Sequence, residues 1–294
     1  MPAFSSVGPS RFILITCLFT FPLAPLASDS HHPSISFASP GGVDLLIDLH
    51  LPENIENPPL LMFIHGGGWQ NGDRNRNRLS WVAEHGYAVA SIEYRLSHEA
   101  LFPAQIEDCK GALRWLRANA EQYGYNASRV VVAGTSAGGH LAALMGTSGE
   151  FPELEGETAG NLEQSSSVQG VIDYYGPSDF VKRSENQPSK TDEPSGGVYR
   201  LLGGPVQENL EAARVASPTT YIDPDDPPFL IFHGEKDKVV YLDQSEWLAE
   251  QLAEDGVSVH LETVTGAGHG WPRSEREKTL VLEFLKRVFG EEGK

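Results

Sequence analysis

Three short stretches of this chain carry side chains that could together perform nucleophilic catalysis. The first, "VVVAGTSAGGHLAALMG", sets Ser136 within Gly134-Thr135-Ser136-Ala137-Gly138, with an apolar strand before it and a helix-forming segment after it. Serine in such a strand–turn–helix setting sits on a sharp turn with its hydroxyl exposed, and the flanking glycines avoid collisions as the turn tightens. A glycine- and serine-rich turn can also cap a helix or bind phosphate; the flanking strand and helix argue for the nucleophile. A serine hydroxyl attacks poorly until a base removes its proton, so the site needs a histidine and a group to orient it.

Four histidines follow Ser136: His140, His233, His260 and His269. His140 belongs to the helix after the turn and His260 to a strand, while His233 ends "FLIFHG" and shapes the next turn. His269 lies in "TGAGHGW", a glycine-rich loop directly after the last strand, and is the expected base. Chains with this elbow order their residues Ser, then Asp or Glu, then His. Asp237 in "HGEKDKVV" fits that order and is favoured, with Asp179 in "YYGPSDF" as its rival. Asp225 and Asp226 read as solvated, and Asp243 suits the first turn of a helix, where the helix dipole favours a carboxylate.

A fourth stretch, "LLMFIHGGGWQNGD", contributes backbone and leaves a strand through three consecutive glycines. Glycine loses the most freedom on folding and is tolerated where backbone must take positive φ or approach closely. Acyl transfer develops an oxyanion that fixed backbone N–H groups stabilise. Gly67 and Gly68, with the amide of Ala137 after the nucleophile, are the expected donors, the Trp69 N–H is the alternative, and His65 braces the loop.

These groups need a scaffold that brings distant loops together. Short apolar runs such as "PLLMFI", "YAVASIEY", "RVVVAG", "VQGVIDYY" and "PPFLIFHG" alternate with amphipathic stretches, which indicates an α/β chain with a mainly parallel sheet covered on both faces. "VDLLIDLHLP" alternates with period two after Pro40-Gly41-Gly42 and reads as the second arm of a hairpin. Cys109, Ala112, Leu113 and Leu116 form one helical stripe, and Val281, Phe284, Leu285 and Val288 another. The segment "KRSENQPSKTDEPSGG", residues 182–197, is polar and aperiodic and predicts a mobile loop or small lid, part of an insert near 181–200. No linker divides the chain, so residues 29–294 are expected to form one domain.

The net charge of −18 argues against nucleic acid or an anionic membrane as partner. Residues 1–28 carry Arg11 followed by "FILITCLFTFPLAPLA" and read as a signal peptide, with Pro22 and Pro25 interrupting a run already short for a span. A secreted or periplasmic protein is expected, free of the membrane after cleavage. Loss of Cys17 with that leader would leave Cys109 alone, so no intrachain disulfide is expected. No Cys/His spacing suggests a metal, and the chemistry needs no cofactor.

"HGGGW", "YRL", "FPAQIEDCKGALRWLRANA", "GTSAGGHLAAL", "ASPTTYI", "PPFLIFHGEKDKVV" and "GAGHGW" together resemble the α/β-hydrolase esterases related to hormone-sensitive lipase, and most closely the bifunctional feruloyl and acetyl-xylan esterase group. The likeness runs from about residue 33 to the end. It implies an eight-stranded α/β-hydrolase fold, Ser136 as nucleophile, Asp237 as acid, His269 as base, and the glycine loop with Ala137 as oxyanion hole. It also implies that Asp108 is structural. The chain departs from the lipase group in lacking a long N-terminal cap segment, so the site should be open on one side. An open site suits short acyl groups or a bulky alcohol such as a polysaccharide. Trp69, Tyr174, Tyr175 and Trp271 either stack on an aromatic acyl group or sugar, or pack the rim of the domain.

The expected function is serine-dependent hydrolysis of short-acyl, feruloyl or acetyl esters. The same groups would also serve an exopeptidase or an arylformamidase-like amidase, and a hydrolase-fold binding protein without chemistry is the third reading. A histidine base predicts activity that falls below about pH 6.5.

Overall fold

The structure, a computed structural model, describes residues 31–149 and 151–290; the expected signal peptide at 1–28 lies outside them. Eight strands form one sheet: β1 (His31–Ala38), β2 (Leu45–His50), β3 (Pro59–Ile64), β4 (Ala88–Ile92), β5 (Asn126–Thr135), β6 (Gly170–Tyr174), β7 (Phe229–Gly234) and β8 (Val259–Val264). Their order across the sheet is β1-β2-β4-β3-β5-β6-β7-β8. β1 and β2 form the expected antiparallel hairpin, and β2 also runs antiparallel to β4. From β4 to β8 all pairs are parallel.

The helices are α1 (Ala104–Ala118), α2 (Ala120–Tyr123), α3 (Ala137–Thr147), α4 (Phe180–Asn186), α5 (Pro188–Thr191), α6 (Gly197–Leu202), α7 (Leu210–Val215), α8 (Asp243–Glu254) and α9 (Glu275–Phe289). Strand side chains alternate between faces. Leu60, Met62 and Ile64 of β3 therefore join α1 and α3 in one apolar cluster, which includes Cys109, Leu113, Leu116, Leu141 and Leu144. Leu61 and Phe63 face the other way and pack with Val281, Phe284, Leu285 and Val288 of α9. Ser274 caps α9 by accepting from the Glu277 amide at 3.1 Å, and Gly290 ends it in the left-handed region. Both helical stripes read from the sequence thus meet the sheet, one on each side.

Residues 182–197 depart from expectation: the mobile loop is instead a compact helical cap. Asp179 caps α4, accepting from the Lys182 amide at 2.9 Å. Phe180, Arg183, Thr191, Val198 and Leu201 are all buried. Helices α4, α5 and α6 are four to seven residues long, α4 buries Arg183 and Ser184 beside Phe180, and α5 buries only Thr191, so no amphipathic period marks them in the sequence.

Strand register brings the site loops to one edge. Ile64 lies beside Gly134, Gly134 beside Asp173, Thr135 beside Tyr174, and Gly234 beside Val264. The carboxyl ends of β3, β5, β6, β7 and β8 therefore finish together, where open α/β sheets place their ligands.

Candidate active site

Ser136 stands between β5 and α3 with φ 54° and ψ −116°, a conformation that side chains other than glycine rarely adopt. Holding it there costs on the order of 1–3 kcal/mol. The surrounding structure enforces it: the Ser136 amide donates to Tyr174 O at 2.8 Å, and every residue of α3 is buried. The flanking glycines are required by contact. A Cβ on Gly134 would lie 2.1 Å from Gly138 O, and one on Gly138 would lie 2.1 Å from Ile64 O.

His269, in the loop after β8, reaches Ser136 Oγ with Nε2 at 2.9 Å and Asp237 Oδ2 with Nδ1 at 2.6 Å. A carboxylate only accepts, so Nδ1 carries the proton and Nε2 is left to accept from the serine. The Asp237 side chain has no exposure, whereas that of His269 is 20% exposed. Asp237 Oδ1 accepts from the amides of Val239 at 2.7 Å and Val240 at 3.1 Å. His233 Nε2 lies 3.4 Å from Asp237 Oδ2 and 3.0 Å from Val240 O. Burial opposes ionisation of Asp237, but hydrogen bonds from His233 and His269, the His269 charge and the Val239 amide outweigh it. They hold the carboxyl well below the usual carboxylate range.

The glycine loop abuts this line of three residues. A Cβ on Gly66 would sit 2.6 Å from Thr135 O and 3.4 Å from Ser136 Cβ. Gly67 has φ 127° and Gly68 φ 62°. The loop closes through Gly67 O, which accepts from the amides of Gln70 and Asn71 at 3.2 Å. Among the described residues the amides of Gly67, Gly68 and Ala137 donate to no protein acceptor. His65 stacks on Tyr94 with ring centres 4.4 Å apart, and its carbonyl accepts from Tyr94 OH at 3.1 Å. It braces the loop and, being buried, is held below the ordinary histidine range.

The rival acids have other partners. Asp179 caps α4 and also accepts from Thr219 Oγ1 at 3.3 Å. Asp108 is fully buried and takes a fork from Arg95, at 2.8 and 2.7 Å. Asp243 bonds Asn186. Asp226 is not simply solvated: partial burial, with Asp223, Asp255 and Asp225 nearby, pushes its carboxyl up to about 7.

The aromatic residues divide. Trp69 is 2% exposed and packs edge-on against His140 and Phe180, and Tyr174 is fully buried against Phe232. Neither surface is open to a ligand, so both are packing residues rather than substrate contacts. Tyr175 has its ring 4.6 Å from that of His269, and the half-buried Trp271 lies 5.2 Å from Tyr175. These two border the site.

A network unseen in the sequence fixes the His269 loop from below. Glu277, 3% exposed, accepts from Arg78 at 3.0 and 2.7 Å, from Trp271 Nε1 at 3.0 Å and from Tyr174 OH at 3.2 Å. Arg78 Nη1 also donates to Trp271 O at 2.9 Å. Among the described residues no group of three His, Cys, Asp or Glu side chains could hold a metal ion. No described helix is long and apolar enough to cross a membrane.

The profile of the BD-FAE family matches residues 47–252. Esterase LipC of Mycobacterium tuberculosis is 32% identical over 239 residues, which cover 78% of this chain and 58% of LipC. The bifunctional GH43-CE structure from Bacteroides eggerthii is 31% identical with a TM-score of 0.80, over 88% of this chain and 38% of the other. A truncated form of a carbohydrate esterase from gut microbiota is 27% identical with a TM-score of 0.78, over 90% and 99% of the two chains. The chain thus spans under two thirds of the length of LipC and of the Bacteroides protein.

Proposed function

The chain belongs to the BD-FAE family, and from that premise we propose that it is a serine carboxylic-ester hydrolase working through an acyl-enzyme. The observation that carries this reading is the unbroken line from Ser136 Oγ through His269 to Asp237, at 2.9 and 2.6 Å. Ser136 Oγ attacks the ester carbonyl as its proton passes to His269 Nε2. The oxyanion is held by the amides of Gly67, Gly68 and Ala137, whose N–H groups have no competing protein acceptor among the described residues. Collapse breaks the bond to the alkoxy oxygen, which takes the proton from His269. Water then attacks the acyl-serine by the same route, regenerating Ser136 and releasing the acid.

Half-buried Ser136 and His269 leave the reacting atoms reachable from solvent, which suits short acyl groups or an ester borne on a large alcohol. Likeness to a carbohydrate esterase supports acetyl or feruloyl groups on a polysaccharide as the substrate class. Export directed by residues 1–28 would bring the enzyme to such a substrate. Hydrolysis of nitrophenyl acetate, methyl ferulate and acetylated xylan, compared between the protein and its Ser136→Ala variant, tests this. Cleavage of one of these esters by the parent alone supports the reading. Equal behaviour of the two proteins, or preferential cleavage of matched amides, overturns it.

A further inference from the structure

Arg183 lies in the helical cap, on α4, and is 4% exposed. Its guanidinium meets neutral acceptors: Nη2 donates to Val239 O at 2.7 Å and Nε to Gln187 Oε1 at 3.1 Å. The acids it interacts with are Asp237 and Asp243, and among the described residues neither forms an ion pair with it. Burial pushes the guanidinium down to about 10, an expensive environment for a cation.

The acceptor of Arg183 belongs to the loop that carries the catalytic acid. Val239 and Val240 turn their amides to Asp237 Oδ1, while the Val239 carbonyl points away into the cap. Gln187, also 4% exposed, reinforces the grip: its Nε2 donates to Val239 O at 3.3 Å and its Oε1 accepts from Tyr241 N at 3.4 Å. One face of the loop therefore holds Asp237, and the other is held by the cap.

We propose that Arg183 is a positioning residue for the catalytic pair, fixing the acid loop through Val239 and placing a buried positive charge behind the Asp237 carboxylate. This rests on the esterase reading and adds a task for the cap, which joins the acid loop to the rest of the site. Other charged or titratable groups around the pair are His233 beside Asp237, Tyr175 against His269, Asp173 on β6, Asp243 on α8, and Arg78 with Glu277 beneath Tyr175. Substituting Arg183 leaves all of these in place. A positive charge beside the pair opposes protonation of the base, so removing it should extend the acid-inhibited range upward.

The test compares the full chain with its Arg183→Gln and Arg183→Lys variants on nitrophenyl acetate between pH 5 and 9. In R183Q, kcat should fall about tenfold with KM within about twofold, and the acid limb of kcat/KM should move up by about 0.5 pH unit. R183K, which keeps the charge but lacks the planar fork, should return the limb to its parental position while kcat remains reduced. An R183Q limb superimposable on the parent's, with activity lost only in proportion to unfolded protein, would overturn the proposal. Should R183Q fail to fold, Gln187→Ala carries the test through the same acceptor. A kcat at least fivefold below the parent's supports the grip on the loop, and an unchanged kcat refutes it. The low-field NMR proton of the His269–Asp237 hydrogen bond needs no substrate. Its displacement in the variants would support the role of Arg183 even if no ester were cleaved, which separates failure of this inference from failure of the esterase reading.

Discussion

On the proposed mechanism, replacing Asp237 with asparagine should abolish ester hydrolysis while leaving the fold and substrate binding nearly intact, and the structure dictates why. Oδ1 accepts from two backbone amides, those of Val239 and Val240, while Oδ2 faces His269 Nδ1. An asparagine can satisfy only one of these sides with its oxygen. Turning its NH2 toward the Val239 and Val240 amides would strand two buried donors, each costing about 1–3 kcal/mol. The amide therefore keeps its oxygen on the backbone and points NH2 at His269. Nδ1 must then accept, the ring proton moves to Nε2, and Nε2 can no longer take the proton of Ser136. A tautomer error of this kind lowers kcat about 10⁴-fold, about 5.4 kcal/mol of transition-state stabilisation. Steady-state hydrolysis of nitrophenyl acetate at pH 7.5, with circular dichroism as the folding control, reads the effect. The expected result is KM within about threefold of the parent and kcat reduced at least 10³-fold. A loss below tenfold in a folded variant would mean that Asp237 does not set the tautomer of His269.

Two further outcomes follow from neighbouring geometry. Gly66→Ala would place a Cβ 2.6 Å from Thr135 O, so the glycine loop must lift from the elbow. The expected loss is on the order of 10²-fold in kcat with a smaller change in KM, and unchanged kcat would show that this loop supplies no oxyanion donor. At the far end of the sheet, the carboxyl of Asp226 is raised to about 7 in the folded protein. The native state therefore binds a proton that the unfolded state releases between about pH 4 and 7, and stability falls as pH rises through that window. Asp226→Asn escapes this penalty: its Tm should exceed the parent's at pH 8, with the gap closing by pH 5. Thermal melts at the two pH values check this, and a pH-independent difference would contradict it.

The legibility of the site follows from how local its signals are. Ser136 and the glycine loop are legible because close backbone approach demands glycine, and the strand and helix that flank the serine narrow what such a turn is for. A Cβ on Gly66 would meet the Thr135 carbonyl of β5, and one on Gly138 the Ile64 carbonyl of β3. His269 could be read because the last strand delivers it. Choosing Asp237 over Asp179 needed topology, and the structure adds a reason the sequence could not supply, since Asp179 is engaged as the cap of α4. For Trp69 and Tyr174 the sequence leaves stacking on a ligand and packing of the rim equally open. Whether a side chain points out of a strand end or beneath it depends on packing against residues such as Phe180 and Phe232. The cap was illegible for a related reason. Its helices are fixed by buried polar groups, Arg183, Gln187 and Thr191 among them, which leave no hydrophobic period. Arg78 and Glu277, separated by 199 positions, carry no local signal at all.

The most direct measurement is covalent: incubate the protein with a fluorophosphonate, digest it, and locate the adduct by peptide mass spectrometry. One adduct per chain on Ser136, absent in the Ser136→Ala variant and slowed at least a hundredfold in His269→Ala, is the expected result. A folded protein that gains no adduct, or gains it on another residue at a rate indifferent to His269, would contradict the assignment of Ser136 as the activated nucleophile.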